Sequence, residues 1–374
     1  MKSQKKKNTK CNDENENNNT TNINDTNDNT NTHINTVVNA NTNANTTANT
    51  NMDFINGNLY INFNSLNELF NIPGCKNKNE TCDVIPIYFS DEYKLLKKKK
   101  ILVISGGGIR GMSFIGALKA LDNYKILNDI DTFVGTSVGA LIILFYVIGY
   151  TIDEIFEFIK YFDVTKMSSI DNLHTIITSY GFDNGKKIEI ILTKIFQSKN
   201  INPEITFNEL FIMTKKEIIV TSVCVNNMNA VYMSHKSHPN MSVHLAIRMS
   251  ISIPILFTPI LFENKYYIDG GCIDNYPIGL FKDKLDDVIG LYVETNNRTV
   301  ENIDTIEDYI YQLLQCISKG LSNNILNGYE KSTISISIDW IPLIDINMDI
   351  DDKIKLFSRG YEVTYDYIIN NIFK

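Results

Sequence analysis

The sequence predicts an α/β protein, a three-layer sandwich whose central, mostly parallel sheet is flanked by helices, preceded by a disordered amino-terminal tail. Two observations carry the fold and a third carries the tail. Ile101-Leu102-Val103-Ile104 is a short β-branched apolar run that stops at three glycines and gives way to helical spacing through Phe114, Ala117, Leu118 and Leu121. Thr132-Phe133-Val134 repeats the pattern, passing through Gly135-Thr136-Ser137-Val138-Gly139 into an apolar helix. Two strand-turn-helix units in succession imply parallel strands with helices packed on the sheet's faces. Residues 1–57, in contrast, are almost entirely Asn, Thr, Asp and Lys. Such a stretch buries too little apolar surface to offset about 1–2 kcal/mol of conformational entropy per residue.

Residues 58–96 have globular composition and are expected to form an extension packed on the core, with a short helix at Leu66, Leu69, Phe70 and Ile72 and a strand at Pro86–Phe89. The core is expected over 97–295. After its two strand-turn-helix units come helices at Ile152–Tyr161 and Gly185–Lys199, both expected at the periphery. Glu217–Val225 is a strong strand, with Ala230–Met233 as its hairpin partner across an asparagine-rich turn. His244–Ser250 has helical spacing and Pro254 closes it. Tyr266–Ile268 and Val288–Val293 are further strands. Residues 296–374 supply a helix near Ile303–Lys319, a strand at Thr333–Ile338 and an amphipathic helix from Lys353, all in the same unit because no Pro/Gly-rich linker divides them.

The net charge of −8 gives no case for nucleic acid. The one basic run in the core, Lys97–Lys100, is expected to be the solvated start of the first strand, the rival reading being a contact with anionic lipid. The six cysteines, at 11, 75, 82, 224, 272 and 316, lack metal-ligand spacing to histidine, which predicts free thiols in a reducing compartment and no bound metal. No apolar signal region comes after the first lysines. The longest apolar run, Val138–Tyr150, has about 13 residues where a bilayer span needs about 20. A cytoplasmic protein with no transmembrane segment, in at most peripheral contact with membranes, is the expectation.

The chemistry centres on turns at strand ends. Gly135-Thr136-Ser137-Val138-Gly139 fits Gly-X-Ser-X-Gly between strand and helix, where a sharp turn exposes a serine Oγ at the sheet's edge in front of a helix dipole. Ser137 is thus a candidate nucleophile. The turn Gly106-Gly107-Gly108-Ile109-Arg110-Gly111 offers the N–H groups of Gly107 and Gly108 as an oxyanion hole, and Arg110 as a further anion contact. The base is open at this level. The five histidines, at 33, 174, 235, 238 and 244, all precede Asp269, so a hydrolase-type order would pair Asp171 with His235, His238 or His244. Asp269 itself comes after a strand and precedes Gly270-Gly271, but a carboxylate in water is a feeble base and would need desolvation.

Gly106–Gly111 formally fits a dinucleotide fingerprint, yet the second strand ends in Gly135-Thr136-Ser137 and not in the acidic residue that binds ribose. A P-loop is excluded because the turn has no Gly-Lys-Ser/Thr after it.

Taken in order, Gly106–Gly111, Gly135–Gly139, the segment Arg248–Pro259 and Asp269-Gly270-Gly271, with Asn275-Tyr276-Pro277 behind it, resemble the patatin-like phospholipases. The resemblance covers roughly Lys99–Phe281. It departs at Met249 and Ser252, where the family usually has alanines. The resemblance implies a Ser-Asp dyad, with Ser137 as nucleophile and Asp269 as the group that takes its proton, the glycine turn as oxyanion hole, and no cofactor. It implies hydrolysis of carboxylic esters of phospholipids or related glycerolipids at a lipid surface, through an acyl-enzyme. The competing reading is a catalytically idle scaffold that binds lipid or protein.

Overall fold

A computed structural model of the chain describes residues 52–55, 58–61, 91–161, 177–294, 302–304, 306–322, 325–341 and 348–372. The tail to residue 51, the expected helix at Leu66–Ile72 and the expected strand at Pro86–Phe89 lie outside these residues. Strands β1 (Met52–Ile55) and β2 (Asn58–Ile61) pair as an antiparallel hairpin across the boundary drawn at residue 57.

Helix α1 (Asp91–Leu96) leads into β3 (Ile101–Ile104), and α2 (Met112–Asn123) comes after the glycine turn. The second unit is β4 (Thr132–Thr136) and α3 (Val138–Val147), with α4 (Ile152–Tyr161) behind it. Then come β5 (Gly181–Asp183), α5 (Lys186–Ser198) and α6 (Phe207–Thr214). The hairpin β6 (Glu217–Cys224) and β7 (Asn229–Met233) precedes α7 (Val243–Ser250). Three short strands succeed it, β8 (Ile255–Phe257), β9 (Ile260–Phe262) and β10 (Lys265–Asp269). The described chain closes with β11 (Val288–Val293), α8 (Ile306–Ser322), β12 (Thr333–Ile336) and α9 (Ile350–Ile372).

Among the described residues the main sheet has eight strands, in the order β12-β11-β3-β4-β6-β10-β9 with β7 also on β6. From β12 to β6 every neighbour is parallel, while β10, β9 and β7 join antiparallel. The strands' alternation divides the core in two. Leu102, Ile104, Phe133, Ile289 and Leu291 face the larger core, built with α2, α3, α4 and α9. Ile101, Val103, Val134, Val288 and Tyr292 face the other side, against Tyr276, Ile278 and Leu326.

The apolar run at Val138–Tyr150 forms the buried α3, and among the described residues no helix is long and apolar enough to cross a membrane. Helix α4 is not peripheral. Ile155 and Phe156 are fully buried, and the Phe156 ring lies 4.3 Å from that of Phe357 on α9. Gly116 of α2 and Gly360 of α9 let these two helices approach backbone to backbone, since a Cβ on Gly116 would meet the Phe357 carbonyl and one on Gly360 the Ser113 carbonyl.

Helix α6, not expected, carries a full capping box: Thr206 Oγ1 accepts the Glu209 N–H and Glu209 accepts the Thr206 N–H. Lys97–Lys100 lies at the amino end of β3, where Lys99 Nζ donates to the Asp286 carbonyl at 2.6 Å. That is the opposite end of the sheet from the glycine turns.

Candidate active site

Two strands end against a third to make the site. Thr136, the last residue of β4, pairs with Thr221 of β6, and Asp269, the last of β10, pairs with Ser222. The other side of both β6 residues is taken by β7, through Tyr232 and Val231. So β4 and β10 share one edge of β6 and meet end to end, one parallel and one antiparallel to it. The residue after Thr136 is thereby set against Asp269.

That residue is Ser137, at φ +54° and ψ −124°. A residue with a Cβ occupies that region at a cost of about 1–3 kcal/mol. The turn is enforced by packing: a Cβ on Gly139 would lie 2.6 Å from the Ser105 carbonyl oxygen and 2.7 Å from that of Ile104, so only glycine lets α3 start this close to β3. Ser137 Oγ donates to Asp269 Oδ2 at 2.5 Å, and both residues are buried, at 7% and 5% exposure.

Asp269 is fixed from three directions. Its N–H donates to the Ser252 carbonyl at 2.9 Å, its Oδ1 accepts the Gly271 N–H at 2.7 Å, and its Oδ2 accepts Ser137. Burial pushes its carboxyl up to about 6, against the opposing pull of the Ser137 and Gly271 hydrogen bonds. The desolvation that a carboxylate base requires is therefore present. Burial, with the charge of Asp269 as lesser cause, pushes the thiol of Cys272, two residues past Gly270, up to about 12.

The glycine turn stands beside this pair. A Cβ on Gly106 would lie 3.4 Å from Ser137 Cβ. The Gly106 N–H is already spent on the Asn275 carbonyl at 3.0 Å, while Asn275 Nδ2 donates back to the Gly106 carbonyl at 3.2 Å. Among the described residues the N–H groups of Gly107 and Gly108 find no such acceptor. Gly135 packs under the Ala140 backbone, Gly111 against Val138, Gly270 on the Thr221 carbonyl and Gly271 beside Asn275.

Arg110 is held at the end of β11. Its guanidinium is buried and its Nη1 donates to the Glu294 carbonyl at the end of β11, at 3.1 Å.

Among the described residues, His235 and His238 have partners other than Ser137. The His235 ring lies flat on Phe211, centroids 3.8 Å apart, with its Nδ1 3.7 Å from Glu217. His238 Nδ1 meets Ser237 Oγ at 3.0 Å, and His244 sits on α7, where burial holds its pKa low. His33, His174 and Asp171 lie outside the described residues.

Three residues to which the sequence assigns no part complete the frame. Ser250 accepts the Ser137 N–H, Asn275 is bonded twice to Gly106, and Asp274 is held by Tyr232 Oη at 2.6 Å and by Thr136 Oγ1, through its carbonyl, at 3.3 Å. Ser250, Asn275 and their neighbours do stand within the motif segments, but nothing in those segments says which atoms meet.

Comparison with known proteins bears on this arrangement directly. Residues 102–282, which contain every turn just described, match the family described as Patatin-like phospholipase. The chain is 35% identical over 291 residues to "Probable lipid hydrolase 463L" of Invertebrate iridescent virus 6, an alignment that spans 74% of this chain and 93% of that protein. The chain belongs to the patatin-like phospholipase family. "Uncharacterized protein R571" of Acanthamoeba polyphaga mimivirus is 33% identical over 73% of this chain and 95% of its own length. "Lysophospholipase NTE1" of Candida albicans is 27% identical, over 55% of this chain and only 14% of its own length, so the likeness is to one part of a much larger protein. Among solved structures, VipD from Legionella pneumophila superposes with a TM-score of 0.51 at 18% identity, over 73% of this chain and 67% of its own, a likeness of fold alone. The patatin-like fold thus accounts for the mostly parallel sheet and its flanking helices.

Proposed function

We propose that this chain is a serine acyl hydrolase of phospholipids or related glycerolipids, working through a Ser137–Asp269 dyad. The carrying observation is the 2.5 Å hydrogen bond from Ser137 Oγ to a buried Asp269 with a raised carboxyl pKa. In the first half-reaction Ser137 Oγ attacks the ester carbonyl carbon and its proton passes to Asp269 Oδ2. The carbonyl oxygen gains negative charge and takes the N–H groups of Gly107 and Gly108; one such donor contributes about 10²–10³ in rate. Collapse breaks the bond to the alcohol, which leaves with the proton. In the second half Asp269 takes a proton from water, the hydroxide attacks the acyl-serine, and the fatty acid departs as Ser137 is reprotonated. All of these groups belong to the chain itself, so the dyad chemistry calls for no cofactor. The expected setting is cytoplasmic, in peripheral contact with a lipid surface.

The test is fatty-acid release from mixed phospholipid vesicles by the wild type, Ser137→Ala and Asp269→Asn, with and without a chelator. The expected result is release by the wild type, a fall of about 10³-fold or more in both variants, and indifference to the chelator. Asp269→Asn retaining most activity would move the base elsewhere. A wild type inert on phospholipid, lysophospholipid and triglyceride alike would turn the reading to the idle lipid- or protein-binding scaffold.

A further inference from the structure

Helix α8 presents the wrong face to water. Tyr309, Leu313 and Ile317, spaced i, i+4, i+8, are 54%, 40% and 46% exposed, and Cys316 and Gly320 are exposed on the same side. Ile310 turns inward and is buried. Single exposed apolar residues are ordinary, whereas a stripe two turns long on one helical face marks a surface that something covers.

Its place in the fold identifies the cover. Helix α8 packs beside the turn Gly270–Cys272, which comes directly after Asp269, and Ile273 at the end of that turn is itself 41% exposed. The stripe therefore borders the site from which a lipid ester would be drawn. A protein seated there would obstruct that approach, whereas a lipid surface seated there supplies it. The stripe positions carry no charge, the chain's net charge is −8, and Lys97–Lys100 lies at the other end of the sheet. Lys319, exposed in the last turn, is the one cation of α8, so apolar contact and not charge dominates this face.

Resting on the lipid-hydrolase reading above, we propose that the Tyr309–Leu313–Ile317 face of α8 docks the protein onto zwitterionic or neutral lipid surfaces by apolar insertion. The mode is that of an interfacial helix lying along the membrane boundary.

The experiment pairs Leu313→Glu/Ile317→Glu with two readouts. Sedimentation with phosphatidylcholine vesicles, in a Ser137→Ala background so that the lipid is not consumed, is expected to show binding reduced by about tenfold or more. Hydrolysis of a short-chain nitrophenyl ester below its aggregation concentration, with Ser137 intact, is expected to be unchanged. Unaltered vesicle binding overturns the proposal. So does a wild-type dimer in light scattering that the double variant dissolves, since the face would then belong to a second copy. If the wild type hydrolyses nothing and the variant still loses vesicle binding, the docking surface stands and the hydrolase reading falls. Should the double variant not fold, Leu313→Trp in a Trp340→Phe background gives the second measurement. A blue shift of its emission on adding vesicles supports insertion, and an unmoved spectrum overturns it.

Discussion

Ser250 Oγ accepts the backbone N–H of Ser137 at 2.9 Å and donates its own proton to the Thr221 carbonyl at 2.6 Å. The positive-φ backbone of Ser137 is thus held by a hydroxyl 113 residues away, anchored in turn on the strand that also positions Asp269.

Ser250→Ala leaves a buried N–H and a buried carbonyl without this partner, at about 1–3 kcal/mol for each group left unsatisfied. Urea unfolding is expected to show that loss. Steady-state kinetics are expected to show kcat reduced by about tenfold with KM nearly constant, because the hydroxyl touches the backbone of the proposed nucleophile and not the substrate. An unchanged kcat would mean the elbow holds its shape without Ser250.

In the proposed dyad the pH profile of ester hydrolysis follows the Asp269 carboxyl, raised by burial to about 6. As a base it must be ionised, so kcat/KM is expected to rise with pH as a single ionisation centred near that value and then to level off. A midpoint below about pH 5 would mean a solvated carboxylate and a different source of basicity.

Stability is expected to move the other way with pH. The carboxyl has its ordinary value near 3.8 when unfolded and about 6 when folded, so the folded state holds the proton more tightly. Its contribution is fully present below the unfolded value and is lost as pH rises through 6, by about 3 kcal/mol in order of magnitude. Asp269→Asn removes this dependence. Thermal melts of wild type and variant at pH 4 and pH 8 are expected to show the variant gaining on the wild type at the higher pH, and a constant difference would contradict the burial argument.

Two glycine substitutions separate packing from propensity. Gly139→Ala forces a Cβ against the Ser105 and Ile104 carbonyl oxygens, and is expected to cost about 1–3 kcal/mol or more and to abolish hydrolysis by lifting Ser137 out of line. Gly320→Ala on α8 meets nothing within 4 Å, and is expected to raise stability by up to about 1 kcal/mol. Chemical denaturation of both variants checks the pair.

Local chemistry determined much of this protein. The β-branched runs at 101–104 and 288–293, the glycine turns and the apolar helix behind Ser137 arise from residues within a few positions of one another, and the structure has each of them. The unexpected α6 was also legible, in the Thr206/Glu209 capping box. The short strands at 255–257 and 260–262 were not, because three residues around Thr258-Pro259 carry too little periodicity to be told from a loop. The expected peripheral place of α4 failed for a different reason: its burial comes from Phe357, about 200 residues later, which no local pattern records.

What only the tertiary structure decided is which groups meet. Residue types left Ser137 with several histidines and Asp269 as possible partners, and Arg110 as a possible anion contact. The register of two strands on one edge of β6, Thr136 on Thr221 and Asp269 on Ser222, brought together side chains 132 residues apart, and the β3–β11 pairing set Arg110 beside the Glu294 carbonyl. Strand register is a collective property of sheet pairing, fixed by contacts distant in sequence, and for that reason the turns could be read from the chain while their hydrogen bonds could not.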